Sequence, residues 1–214
     1  MPTYTVKQGD HLSSIAHDAG FSGIDTIWNH PNNADLKTRR KNPNVLFPGD
    51  SLFIPDHQDK SVPGATRRRH RFRVKRPKLA LRIVLEDNDE TPLANLTCTL
   101  EVDNDSHSLT TSAAGLIEQK IEPDDKQARL LFPDPDLPFQ REIPIKIGNL
   151  DPIDTPSGQV ARLTNLGYFL GDPDKPDKMD VRSAVEEFQC NHTLPVDGKC
   201  GPATQAKLKE IHGC

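Results

Sequence analysis

Cys98 and His107 are the only cysteine and histidine between residues 79 and 147. Held within hydrogen-bond reach, they would make a thiolate nucleophile with its general base. The pattern around them argues against that pairing. Leu96, Cys98, Leu100 and Val102 fall on one face of an alternating run, and Thr97, Thr99 and Glu101 fall on the other. A turn centred on Asn104 would then set Cys98 across from Thr110 rather than His107, with the thiol pointing into a core. The remaining histidines, His11, His17, His30, His57, His70, His192 and His212, show no spacing that would gather metal ligands. A zinc hydrolase needs several histidines with acidic ligands, and a glycosidase needs two carboxylates across a cleft. The adjacent acids Glu186 and Glu187, or Asp124 and Asp125, read as solvated surface. HExxH and GxSxG are both missing from the sequence. We therefore expect no enzyme, no metal and no cofactor. Cys190 and Cys200 flank a short loop and could form a disulfide in an oxidising compartment.

The elements that would position these residues fall into small modules. The 214 residues are 34% apolar, with a mean hydropathy of −0.63 and 19 prolines, many clustered. That composition fits several small domains with modest cores. No run approaches the ~18 apolar residues of a membrane span. The N-terminus has no basic start followed by an apolar run, so no secretory signal peptide is expected. Synthesis in the cytoplasm would then be followed by export on, or by, a secretion machine to the periplasm or cell wall. The net charge of −4 is uneven. Residues 67–78 hold 8 basic groups and no acidic ones, while residues 79–150 hold 6 basic and 14 acidic. So local a basic run is no nucleic-acid signature.

From residue 1 to about 56 the order reads β-α-α-β. Residues 4–6 alternate as a strand, Asp10 is placed to cap a helix, and Leu12, Ile15, Ala16 and Ala19 share one helical face. A second helical face begins with Ile24, Ile27 and Trp28, and residues 51–54 form the closing strand. "YTVKQGDHLSSIAHDAGF" and "NPNVLFPGDSLFIP" resemble the two ends of a LysM domain. The resemblance implies binding of N-acetylglucosamine-containing glycan in a groove formed here by Gly9, Asp10, His11 and Leu12 facing Asn44, Val45 and Leu46. Residues 28–43 are longer than that family's pattern, and would extend the groove or cover it.

Residues 57–78 read as a linker followed by a basic edge strand. Phe72 and Val74 alternate with Arg71, Arg73 and Lys75, giving one cationic face that is either solvated or a docking surface for an acidic partner. Residues 79–150 contain six short runs separated by turn-forming residues, which implies a small antiparallel sandwich. The stretch "DNDETPLANLTCTLEV" with "TTSAAGLIEQKI" resembles transthyretin-like or Ig-like sandwiches.

Residues 151–214 read as three helices. Val160, Leu163 and Leu166 share a face of the first, Val181, Ala184, Val185 and Phe188 of the second from Asp180, and Leu208 and Ile211 of the third. "VARLTNLGYFLG" and "AVEEFQCNHTLPVDGKCGPATQAKL" resemble the peptidoglycan-binding domain appended to wall hydrolases, which does no chemistry itself. Its motif positions here are Asp197, Gly198, Gly201 and Thr204, read either as ligand contacts or as turn and cap residues.

The expectation is a multidomain α+β protein that binds peptidoglycan without cutting it. The whole arrangement resembles proteins that accompany type VI secretion and related contractile, phage-tail-like machines. That resemblance implies spike, baseplate or effector proteins as further partners. The alternatives are a structural adaptor of such a machine and an unrecognised wall-active effector.

Overall fold

The computed structural model describes residues 3–56, 61, 63–71, 78–87, 91–134, 142–169 and 171–214. The expected basic strand through Phe72 and Val74, with Arg73 and Lys75, lies outside these residues. Arg71 is described, and it is exposed. The chain divides into two compact units, Met1–Asn44 with Pro48–Gly148, and Val45–Phe47 with Asn149–Cys214.

In the first unit, β1 (Thr3–Thr5) pairs antiparallel with β2 (Ser51–Phe53), with Tyr4 opposite Leu52. Between them run α1 (Leu12–Asp18), α2 (Asp25–Trp28), a single 3-10 turn over Pro31–Asn33, and α3 (Ala34–Arg40). The expected β-α-α-β therefore gains a helix, because residues 28–43 fold as a structural part of the module. Asn33 fixes that helix in place. Its side-chain amide donates to the carbonyls of Ile27 and Phe53, both at 2.8 Å, and accepts from the Phe53 N–H at 2.8 Å. A polar side chain only 1% exposed is thus satisfied on both ends. Leu12, Ile15, Ala16, Ile27, Trp28, Leu36 and Leu52 are all buried. Ala19, expected on the same face as Leu12, lies half-buried at the C-cap of α1.

The cap of α1 differs from expectation. Asp10 does not cap the helix, because its carboxylate already accepts from the Tyr4 hydroxyl at 2.7 Å and the Lys7 N–H at 2.8 Å. The role passes to His11, whose Nδ1 accepts from the Ser14 N–H at 3.3 Å while the Ser14 hydroxyl takes the His11 N–H at 3.2 Å.

The rest of this unit is β-structure. Its strands are β3 (Leu79–Val84), β4 (Thr97–Val102), β5 (Asp105–Thr110), β6 (Leu116–Ile121), β7 (Gln127–Leu131) and β8 (Glu142–Lys146). β3 pairs with β6, and a second antiparallel sheet runs β5-β4-β7-β8. Cys98, Leu100, Val102, Ile117, Ile121, Ala128, Leu130 and Phe132 from the two sheets form one buried cluster. Burial alternates along β4 as its sequence requires, with Cys98, Leu100 and Val102 inside. The hairpin register is one residue tighter than expected. Cys98 lies opposite Leu109 and Leu100 opposite His107, because the turn centres between Asp103 and Asn104, with Asp103 in the left-handed region at φ 44°. Leu96, expected in the run that forms β4, precedes that strand and follows a turn at residues 94–95 in which Asn95 has φ 57°.

In the second unit, α4 (Pro156–Asn165) is capped by the Thr155 hydroxyl, which accepts the Gly158 N–H at 3.1 Å. Gly158 is obligatory there, since a Cβ would stand 2.1 Å from the Pro152 carbonyl oxygen. α5 (Lys178–Asn191) starts two residues before the expected Asp180, because Asp177 is its cap. α6 (Pro202–His212) opens on proline, as helices favour. Val160, Leu163, Phe169, Ala184, Val185, Phe188 and Leu208 form the core. Ile211, expected inside, is 42% exposed. No helix among the described residues is long and apolar enough to cross a membrane.

Candidate functional site

At the first module's surface, the residues after β1 meet the chain before β2. The Leu12 N–H donates to the Pro43 carbonyl at 3.1 Å, and the Ser13 hydroxyl donates to Asn44 Oδ1 at 3.0 Å. Asp10 locks the turn at Gly9 through its two hydrogen bonds. Burial, together with the Asp10 carboxylate, pushes the Tyr4 hydroxyl up to about 12, so its proton stays on and keeps donating.

Of the seven expected glycan contacts, Gly9, Asp10 and Asn44 are half-buried at the surface. His11 and Leu12 are 3% and 0% exposed, and Val45 and Leu46 are 8% and 4% exposed. Burial holds the His11 imidazole below its ordinary pKa. A neutral ring is what its capping role requires, because Nδ1 must accept. Gly148 passes close by, where a Cβ would lie 2.6 Å from the Gly9 carbonyl oxygen and 2.7 Å from the His11 ring. Part of this face is therefore occupied by the chain's own backbone.

In the second unit, Gln189 organises the motif positions. Its amide nitrogen donates to Asp197 Oδ1 (2.8 Å), the Lys199 carbonyl (3.0 Å) and Thr204 Oγ1 (3.0 Å). Its amide oxygen accepts from the N–H groups of Asp197 (2.9 Å) and Gly198 (3.0 Å). The Asp197 carboxylate also accepts from the Lys199 N–H at 2.9 Å, and the Gln189 bond above all holds its pKa below the usual carboxylate range. Gly198 sits at φ 66°, which favours glycine, and Gly201 is the cap residue of α6. Asp197, Gly198 and Thr204 are thus brought together around one buried side chain. Gln189 lies inside the stretch that carries the family resemblance, but nothing in its spacing marks it as the centre of the loop.

Two further arrangements were not visible in sequence. Arg162 is 1% exposed and donates to the carbonyl of Asp151 (2.9 Å), that of Gly158 (2.7 Å) and the main-chain oxygen of Cys214 (2.8 Å). Nearby, Cys214 Sγ and His212 Nδ1 are 3.2 Å apart, and His212 Nε2 meets the Asn165 side chain at 3.0 Å. The protonation states oppose nucleophilic use of this pair. Burial, aided by Arg162, pushes His212 down to about 4, and burial pushes the Cys214 thiol up. The imidazole is too weak a base to take the thiol proton.

Cys98 donates to the Leu109 carbonyl at 3.7 Å, and burial raises its pKa. Cys190 and Cys200 are free thiols. Cys190 is exposed, whereas Cys200 packs against the helical core and is pushed up to about 11 by burial.

Both terminal modules are small, and each is held by a buried polar side chain, Asn33 in the first and Gln189 in the second. Residues 4–38 match the family described as "LysM domain", and residues 160–208 match the family described as "Putative peptidoglycan binding domain". No curated protein and no solved structure matches the chain. Both matched families are binding domains, and together they support peptidoglycan binding.

Proposed function

We propose that the chain binds peptidoglycan through both terminal modules and does not cleave it. The observation that carries this reading is the presence of two independent binding-type modules on one chain, at residues 4–38 and 160–208. The glycan contacts of the first module are Gly9, Asp10 and Asn44, the accessible members of the expected set. The wall or periplasm is the compartment where such a chain would act. The full chain should sediment with purified insoluble peptidoglycan at moderate salt and release no soluble muropeptides. Two weak sites on one chain should also hold the polymer more tightly than either alone, through effective concentration. A chain that stays in the supernatant would defeat the binding reading, and release of soluble fragments would defeat the non-catalytic one.

We infer further that the protein accompanies a contractile injection machine, with the two central sheets serving as a transthyretin-like or Ig-like adaptor. Support comes from charge. Eight basic residues at positions 67–78 adjoin an acidic stretch, and wall binding gives them no evident task. Reversing Arg71, Arg73 and Lys75 to glutamate should abolish co-purification with spike, baseplate or effector proteins while leaving wall sedimentation intact. The wild-type association should weaken with salt, since exposed charges are screened over about 8 Å at physiological ionic strength. Unchanged co-purification of the reversed variant would refute the docking role.

A further inference from the structure

Past β8 the chain turns onto the glycan face of the first module. It is tied down immediately before that point, where the Ile147 N–H donates to the Lys126 carbonyl at 2.9 Å. Gly148 then comes so close to the loop after β1 that a Cβ on it would stand 2.6 Å from the Gly9 carbonyl oxygen and 2.7 Å from the His11 ring. Non-bonded heavy atoms sit best at about 3.5–4.0 Å, so only glycine can make this approach. The backbone asks for glycine as well, with φ at 76°.

The contact is packing without hydrogen bonding. Gly148 neither donates nor accepts a hydrogen bond among the described residues, and the Gly9 carbonyl accepts none. Both residues are half-buried. A polar group shielded from water without a partner costs stability, so the chain lies over Gly9 only weakly. Beyond the first helical turn, Asn44 accepts from the Ser13 hydroxyl through Oδ1 at 3.0 Å, and its amide nitrogen has no partner among the described residues. The face thus holds one open acceptor and one open donor, which an acetamido group on a sugar could satisfy together. Gly148 stands in front of the acceptor.

We propose that residue 148 is a strap closed over the glycan site of the first module, so that glycan binds there only as the strap lifts. The proposal rests on the reading of Gly9, Asp10 and Asn44 as glycan contacts and adds the competition that sets their affinity. No hydrogen bond has to break for the strap to leave, and the Ile147 bond keeps the movement local. A strap closed in about nine molecules out of ten lowers the apparent affinity about tenfold.

The test uses the isotope-labelled full chain, titrated with the N-acetylglucosamine tetramer and followed by amide chemical shifts. Gly148→Val sets a branched side chain where the Gly9 carbonyl and the His11 ring stand, in a backbone conformation that valine avoids. It should lift the strap, and the Gly9 and Asp10 amides should then report binding about tenfold tighter than in the wild type. In the wild type, saturation should move the Gly148 amide in step with those two. A folded Gly148→Val chain that binds no more tightly than the wild type overturns the strap. So does a wild type whose Gly9 and Asp10 amides respond at saturation while Gly148 stays in place, and that arm needs no variant. A tetramer that moves no first-module amide even in the folded variant removes the glycan reading itself, whereas equal binding by the two chains removes the strap alone.

Discussion

Replacing Gln189 with leucine should destabilise the helical unit by about 3 kcal/mol, with the loss concentrated in the 197–204 loop and the helices it joins. The substitution keeps the bulk of a side chain that is 1% exposed and removes its five hydrogen bonds. A typical intramolecular hydrogen bond contributes about 1 kcal/mol net, but a buried partner left unsatisfied costs about 1–3 kcal/mol. The partly buried Gly198 N–H and the buried Thr204 hydroxyl would face an apolar surface, so this loss exceeds that of any exposed pair. Native-state amide exchange should show protection falling about a hundredfold across α5 and α6, with α1 unchanged. The charged variant Gln189→Glu separates shape from hydrogen bonding. At neutral pH it sets a second carboxylate against Asp197 and provides no donor, so it should be at least as damaging. As pH falls and the new carboxyl protonates, it regains a donor and should recover part of the loss relative to Gln189→Leu. If both variants exchange like the wild type, the loop is held by other contacts.

The readable parts of this fold were those written as periodicity or punctuation. The alternation through Leu96, Cys98, Leu100 and Val102 located β4 and its buried face. Pro156 and Pro202 stand at the first positions of α4 and α6, where proline favours a helix start. What sequence could not supply was the choice among local competitors for one hydrogen-bonding role. Asp10, Asp177 and Asp180 all suit a helix cap. Only in three dimensions is Asp10 drawn away by Tyr4 and Lys7, and only there does Asp177 precede Asp180 as the cap of α5. The turn between β4 and β5 shifted by half a residue for a similar reason, since Asp103 takes the left-handed conformation that Asn104 could equally have adopted.

The candidate sites divide in the same way. Motif spacing marked Asp197, Gly198, Gly201 and Thr204, but spacing cannot show that Gln189, in the last turn of α5, bonds three of those four residues. Arg162 was also illegible, because an arginine on a helix is ordinarily solvated and nothing local marks it as buried. In the first module, residues 28–43 looked like an insertion since they lack a long apolar stripe. Their helix is held chiefly by the amide of Asn33 and by Leu36, which leave only a faint periodic signal.

The second large effect is expected at Asp50, which in sequence is only the last residue of a Pro-Gly-Asp turn. Its side chain is 3% exposed and meets Arg40, 7% exposed, in a two-pronged pair with Nε–Oδ2 at 2.7 Å and Nη2–Oδ1 at 2.9 Å. Arg39 approaches the same carboxylate at 3.7 Å from a more exposed position. The pair joins the end of α3 to the start of β2, and the Asp50 carbonyl takes the Val6 N–H at 2.9 Å. It therefore couples the added helix to the β1–β2 ladder. Replacing Asp50 with alanine removes both charged hydrogen bonds of this pair from a nearly buried guanidinium, and breaking a buried pair on one side typically costs about 3–5 kcal/mol. That is a large share of the stability of a module this small. Removing both charges with Arg40→Met and Asp50→Ala should be milder than Asp50→Ala alone, because the buried guanidinium goes together with the carboxylate that faces it. Denaturant unfolding of the full chain, followed by the fluorescence of Trp28, the chain's one tryptophan, reports on this module directly. If Asp50→Ala costs less than about 1 kcal/mol, or the double variant proves the less stable of the two, the pair behaves as a solvent-screened surface contact and the buried-charge account of this module is wrong.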